Sequence, residues 1–166
     1  MGEALDENGI LLRHQSVYYH STIMRWGYAF LLNGLLALQP AWGDDVDLRV
    51  GPHIIKAEIA ATTESRMRGL MLRNHLCAEC GMLFAFPTAD RYGFWMKDTP
   101  LPLSIAFIAP DGSIINIDEM QPHTTEVHYA KNKALYALEM NRGWFTRKGI
   151  KAGDRVLGVK NVVAAH

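Results

Sequence analysis

The chain has 166 residues, 49% hydrophobic and 20% charged, proportions that suit one compact domain and exclude a disordered or repetitive chain. Its 17 Lys+Arg balance 17 Asp+Glu without a basic cluster, which excludes the electrostatic footprint of a nucleic-acid binder or of a protein held on an anionic membrane surface.

Residues 1–23 have neither periodicity nor a basic start, and read as a non-native or disordered extension ahead of Met24, the better initiator. Residues 24–43 run from Arg25 through the apolar stretch Tyr28 to Leu38 to the small-residue triplet Ala41-Trp42-Gly43, the order of a secretory signal. The apolar run is shorter than the ~20 residues a membrane-spanning helix needs, and Asn33 interrupts it. A buried helix or an uncleaved anchor is the competing reading, and an uncleaved segment would be the chain's membrane contact. Cleavage after Gly43 would leave a periplasmic or secreted, single β-rich domain over 44–166, beginning "DDVDLRV".

Val46, Leu48 and Val50, then Ile55, Ala57 and Ile59, alternate at period two around Gly51-Pro52, which predicts a hairpin. Thr62 or Thr63 then caps a short helix, with Glu64 in its first turn, although Arg66 stands where Thr63 would need a capping-box glutamate. Met67, Leu70 and Met71 have helical spacing, and the helix is expected to run to about Asn74. The segments "GMLFAF", "YGFWM", "LSIAFIA" and "SIINIDEM" follow as strands, the last two joined by the hairpin signal Pro110-Asp111-Gly112. "ALYALEM" and "DRVLGV" close the series, with a short helix around Trp144 to Lys148 and a turn at Ala152-Gly153-Asp154. The predicted fold is mainly β: a small sandwich or barrel of short, largely antiparallel strands with one or two short helices packed on it.

The runs "RMRGLMLRNHL", "GMLFAF", "FWMKDTPLPLSIAFI", "DGSI" and "LEMNRGWFTRKGIKAGD" occur in an order and spacing that resembles a widespread bacterial and archaeal family, domain of unknown function 192, over roughly Val46 to Val159. The resemblance implies a small β-rich fold, frequent export and no agreed activity. The family pattern falls on Arg66, Gly69, Leu70, Met71, Arg73, Gly81, Met82, Phe84, Phe94, Trp95, Met96, Lys97, Thr99, Pro102, Gly112, Leu138, Glu139, Gly143, Gly153 and Asp154. Two positions depart from it: Asp98 replaces a usual asparagine, and Ser104 a frequent aspartate, so that a carboxylate is either lost or moved along the strand.

The glycines read as backbone requirements, because none forms a glycine-rich loop opening a helix. Met67, Met71, Met82, Met96 and Met120 read as core before they read as a soft-metal site. Cys77 and Cys80 have redox and zinc spacing, but they lie between a helix and a strand, and the histidines offer no second matching pair. A local disulfide is the first reading, free thiols the second, and no metal or cofactor is implied.

"FWMKDTPLP" raises the functional question. Strand alternation sends Phe94 and Met96 to one face and Trp95 and Lys97 to the other, with Thr99 on that same side if the strand runs on. Pro100 and Pro102 should end the pairing and leave the row at a rim. Glu139, sharing a strand face with Leu135 and Ala137, is expected to be semi-buried and to need Lys97, Arg66 or Arg73 as its cation. The first reading is a module binding a polar or anionic small molecule or a glycan, with Arg66, Arg73, Trp95, Lys97, Asp98, Thr99, Glu139 and Trp144 as candidate contacts. The alternatives are an enzyme using Lys97 with Glu139 or Asp98 as an acid–base pair, and a purely structural polar cluster.

Overall fold

The structure is a computed structural model that describes residues 45–165; the expected extension over 1–23 and signal segment over 24–43 lie outside the described residues. Strand β1 (Asp45–Val50) turns at Gly51-Pro52 into β2 (His53–Ala60), with Val50 opposite His53. Helix α1 (Thr63–Arg68) is capped by Thr62, whose hydroxyl accepts from the Ser65 amide at 3.1 Å while the Ser65 hydroxyl accepts from the Thr62 amide at 2.9 Å. Serine thus completes the capping box that the sequence reading sought in a glutamate. The helix stops at Arg68, short of Asn74, because Gly69 takes a φ of 48° and a Cβ there would sit 3.3 Å from the Phe84 ring.

Strand β3 (Cys80–Asp90) pairs parallel to β2 and antiparallel to β8 (Ala134–Asn141). Two-residue β4 (Gly93–Phe94) pairs with β7 (His128–Tyr129), while β5 (Leu103–Ile108) and β6 (Ile114–Met120) form the hairpin expected at Asp111-Gly112. Helix α2 (Trp144–Arg147) and β9 (Val156–Leu157) complete a seven-stranded sheet of order β6-β5-β8-β3-β2-β1-β9. All its pairings are antiparallel except β2 with β3.

The sheet curls into a half-barrel. A bridge between Ser113 and Arg155, with the Ile114 amide on the Asp154 carbonyl at 2.8 Å and the Val156 amide on Gly112 at 2.9 Å, ties the β6 end to the chain entering β9. Every residue of β5 is buried, as a continuous apolar run with covered faces requires. One core cluster joins Leu48, Ile55, Leu83 and Leu138 to Trp144 and Phe145 of α2; the other joins Phe84, Phe107, Leu103 and Met120 to Leu70 and Met96. Strand alternation puts Ala137 and Glu139 on the side of this second cluster. Among the described residues no helix is long and apolar enough to cross a membrane.

The expected strand over "YGFWM" ends at Phe94, since Trp95 and Met96 have no ladder partner beyond the Met96 amide's bond to the Thr124 carbonyl at 3.1 Å. A tight turn follows, closed by the Thr99 amide on the Met96 carbonyl at 3.1 Å, with Asp98 at a φ of 55°. The alternation nevertheless holds through Lys97: Phe94 and Met96 face the core, Trp95 and Lys97 face solvent. At Asp98 it breaks, and Thr99 is buried instead of joining Trp95 and Lys97 on the exposed side.

Candidate functional site

A pocket of about 510 Å³ lies between α1 with the residues that follow it and the segment around β4, over the face of β3 and β8. Its aromatic wall comes from Phe84 and Phe86 on β3, at the period-two spacing that puts both on one face, and from Tyr92 and Phe94. Phe86 stacks on Tyr92 with ring centroids 3.6 Å apart, and Phe84 meets Phe94 edge to face at 4.9 Å. Met67, Leu70 and Met71 line the α1 side, and Trp95, Lys97 and Asp98 form the opposite rim.

Lys97 holds its ammonium 5.8 Å from the centroid of the half-exposed Trp95 ring. Arg66 hydrogen-bonds the carbonyls of Ala61 and Ala85, the latter at 3.0 Å, and lies 5.7 Å from the Phe86 centroid. It therefore pins α1 to β3 as well as lining the wall. Thr99 turns its hydroxyl to the Lys97 carbonyl at 3.2 Å and shapes the rim from below.

Glu139 lies on β8, the strand between β3 and β5, opposite Met82 on one side and Ile105 on the other. Only 5% exposed, it still lines the pocket, and among the described residues no donor or cation reaches its carboxyl. Desolvation pushes that carboxyl up to about 8, so the neutral acid is the resting form at pH 7. The close approach of β8 to β3 beneath it depends on Gly81, where a Cβ would fall 2.5 Å from the Glu139 carbonyl oxygen.

The structure thus brings Arg66, Trp95, Lys97, Asp98, Thr99 and Glu139 around one pocket, and leaves Arg73 and Trp144 out of it. Arg73 makes a fork-to-fork pair with Glu58 at 2.6 and 2.5 Å on β2. Trp144 is buried in the other core cluster, its indole N–H donating to Glu79 at 3.0 Å. The cationic partner expected for Glu139 is absent among the described residues, and neither Glu139 nor Asp98 pairs with Lys97. Glu139 is buried rather than semi-buried, because β8 is a central strand with β5 on one side and β3 on the other.

Sequence reasoning missed Thr63, Arg68 and the aromatic wall. The wall was readable in the alternation of "GMLFAF", whereas the approach of Tyr92 depends on the turn between β3 and β4, and that of Arg68 on where α1 lies against β3. Met67, expected in the core, is 72% exposed at the pocket edge, while Met82, Met96 and Met120 are core. Ser104 stands outside the pocket: fully buried, it accepts from the Gly143 amide at 2.8 Å and donates to Glu119 at 2.9 Å. Cys77 and Cys80 are joined in a disulfide, and among the described residues no group of three or more His, Cys, Asp or Glu could hold a metal ion.

Residues 46–158 match the family profile of DUF192, described as "Uncharacterized ACR". The chain belongs to this family, domain of unknown function 192. Two solved structures resemble this DUF192 chain at a TM-score of 0.66. A Sinorhizobium meliloti protein, described as a "putative transcription regulator", is 35% identical, the match covering 70% of this chain and 93% of that one. A protein of unknown function from Novosphingobium aromaticivorans is 36% identical, with 68% of this chain and 84% of that one covered. No curated protein matches the chain.

Proposed function

We propose that this domain binds a small molecule with polar or anionic groups, a glycan included, with Trp95 and Lys97 at the rim and Thr99 and Glu139 beneath them. The observation that carries the reading is Glu139: a buried carboxyl, without a protein partner among the described residues, lines a pocket walled by aromatic rings. No fully buried side-chain oxygen or nitrogen among the described residues lacks a partner, so the Glu139 carboxyl opens to the pocket, where its polar atoms are available to a ligand. The Sinorhizobium protein's description speaks for a gene-regulatory role, but the balance of 17 basic and 17 acidic residues supports a small ligand over a nucleic acid.

A panel of organic acids, metabolites and sugars, screened by thermal shift on the wild type and on Trp95→Ala, tests this. A ligand that stabilises the wild type and loses its effect in a normally folded Trp95→Ala supports the reading. An equal response in both proteins sinks it.

The raised carboxyl of Glu139 favours one second reading, an enzyme in which this residue is a general acid. Turnover lost in Glu139→Gln with substrate binding kept would support it, and turnover unchanged would end it. We also infer, from residues 24–43, that the domain works in the periplasm or outside the cell. A native N-terminus near Asp44 is the expected result, and a cytosolic chain starting at Met1 or Met24 would refute it.

A further inference from the structure

Among the described residues that line the pocket the carboxyls are Asp98, at the exposed rim, and Glu139, buried on β8, whereas Arg66, Arg68 and Lys97 line its walls and rim. A ligand that reached in with an anionic group would meet a carboxyl that could at best donate one hydrogen bond. A ligand that reached in with an ammonium would meet an acceptor with several free lone pairs, in a cavity whose aromatic faces attract cations. The mouth has the opposite preference, since its lysine and arginines repel a bare cation and favour an anion.

We infer that the deep end of the pocket is an ammonium subsite, in which the Glu139 carboxylate receives a primary amine borne on an apolar stem, while an anionic group at the ligand's other end stays beside Lys97 and Arg68. The inference rests on the small-molecule reading above and narrows it to amine-and-acid molecules. The stem lies among Phe84, Phe94 and Met71, and the amine and the acid are held apart by the depth of the pocket.

Proton bookkeeping makes this measurable. The groups that face the pocket with Glu139 are Arg66 and Arg68 from α1 and Tyr92, Lys97 and Asp98 from the segment around β4, while β3 and β5 place Met82 and Ile105 opposite it. With Glu139 neutral at pH 7 and its carboxyl at about 8, an ammonium that pairs with it must expel the carboxyl proton to solvent. Binding therefore releases about one proton, and affinity rises as pH climbs toward 8.

Four matched probes test the subsite by calorimetry in two buffers of different ionisation enthalpy: para-aminomethylbenzoate, para-hydroxymethylbenzoate, para-toluate and benzylamine. The expected result is that para-aminomethylbenzoate binds roughly tenfold or more tightly than its hydroxymethyl analogue, with about one proton released at pH 7. Benzylamine, lacking the acid, should bind more weakly than para-aminomethylbenzoate, and increasingly so at low salt. In Glu139→Gln the preference for the amine should disappear while para-toluate binds as before, which also shows that the variant folds.

Equal or tighter binding of para-toluate or para-hydroxymethylbenzoate by the wild type overturns the ammonium subsite and leaves the pocket reading standing. So does amine binding without proton release. No binding by any of the four also overturns the subsite, and the fate of the pocket reading is then decided by the Trp95→Ala panel, which does not depend on an amine.

Discussion

The backbone amide of Leu72 donates to the carbonyl of Asp98 at 2.8 Å, and both residues hold left-handed backbone, at φ of 61° and 55°. This bond links the chain leaving α1 to the rim segment, which are opposite walls of the pocket. Left-handed φ favours glycine, asparagine and aspartate, so the asparagine usual in the family at this position and the aspartate here meet the same backbone need. The departure at Asp98 is conformational, and takes no acid–base group from the pocket.

Asp98→Asn should accordingly leave stability within about 0.5 kcal/mol of the wild type, whereas Asp98→Val should cost roughly 1–2 kcal/mol by straining the turn. Leu72→Gly, at an 80% exposed position, should hold or gain stability. Urea denaturation of the three variants checks the ordering; an Asp98→Asn protein less stable than Asp98→Val would contradict it.

Glu139 fixes the sign of one pH dependence. Its carboxyl is raised from 4.5 to about 8 by desolvation, so the folded state holds a proton that the unfolded chain gives up. The stabilising contribution is complete below pH 4.5, declines as pH rises, and is gone above about 8. A few kcal/mol, in order of magnitude, are at stake over that window. Glu139→Gln should flatten this decline and be the more stable protein at pH 9, because its amide cannot ionise. Melting curves from pH 4 to 9 decide the matter, and parallel profiles for the two proteins would show that Glu139 does not titrate in this range.

The second departure from the family, at Ser104, has a different explanation. Ser104 passes the Gly143 amide's hydrogen bond on to Glu119, its cross-strand partner on β6, whose carboxylate also accepts from that amide at 3.2 Å. Serine and glutamate together supply what an aspartate at this position would supply alone, a carboxylate under the turn that enters α2. Ser104→Ala should cost about 1–3 kcal/mol, since it leaves a poorly paired group beside a fully buried site. Ser104→Asp should be worse in the wild-type background than with Glu119→Gln, where two carboxylates no longer face each other. A double-mutant cycle by chemical denaturation measures that coupling, and additive effects would refute the exchange.

Much of this architecture is legible in residue order because it rests on local signals. The β1–β2 and β5–β6 hairpins follow from Gly51-Pro52 and Asp111-Gly112, and α2 falls on Trp144–Arg147 within the expected span. The contacts across the pocket are less legible. Alternation places Trp95 and Lys97 outward, but it cannot foresee the left-handed turn at Asp98 that buries Thr99. Strand face alone implies that Glu139 is half-covered; the central place of β8 in the sheet decides that it is buried, and that Arg73 is taken by Glu58 on β2 rather than by Glu139. Partner choice among charged residues is a tertiary property, and it is where the reading from sequence fails for Arg73; Trp144 misses the pocket because α2 packs on the other core cluster.

The loop closed by Cys77 and Cys80 joins three elements through its backbone and through Glu79. The Lys56 amide of β2 donates to the Glu79 carbonyl at 3.0 Å, and the Asn141 side chain of β8 donates to the carbonyls of Leu76 and Cys77 at 3.2 and 2.8 Å. The Glu79 carboxylate accepts from Lys148 at 2.8 Å and from the buried Trp144 indole at 3.0 Å, and these partners, Lys148 first, hold it below its ordinary 4.5. The disulfide itself spans so few residues that it restricts the unfolded chain little, so Cys77→Ser with Cys80→Ser should cost less than about 2 kcal/mol. Lys148→Met removes an ion pair open to solvent, and should cost less than about 1 kcal/mol. Glu79→Ala removes both the acceptor of the buried indole's N–H and the partner of Lys148, a loss of about 1–3 kcal/mol. Glu79→Ala should therefore be the least stable of the three in guanidinium titrations, and Trp144→Phe in the Glu79→Ala background should cost little more than Glu79→Ala alone. If the double-serine protein unfolds first, the disulfide rather than the Glu79 side chain holds α2 to the sheet.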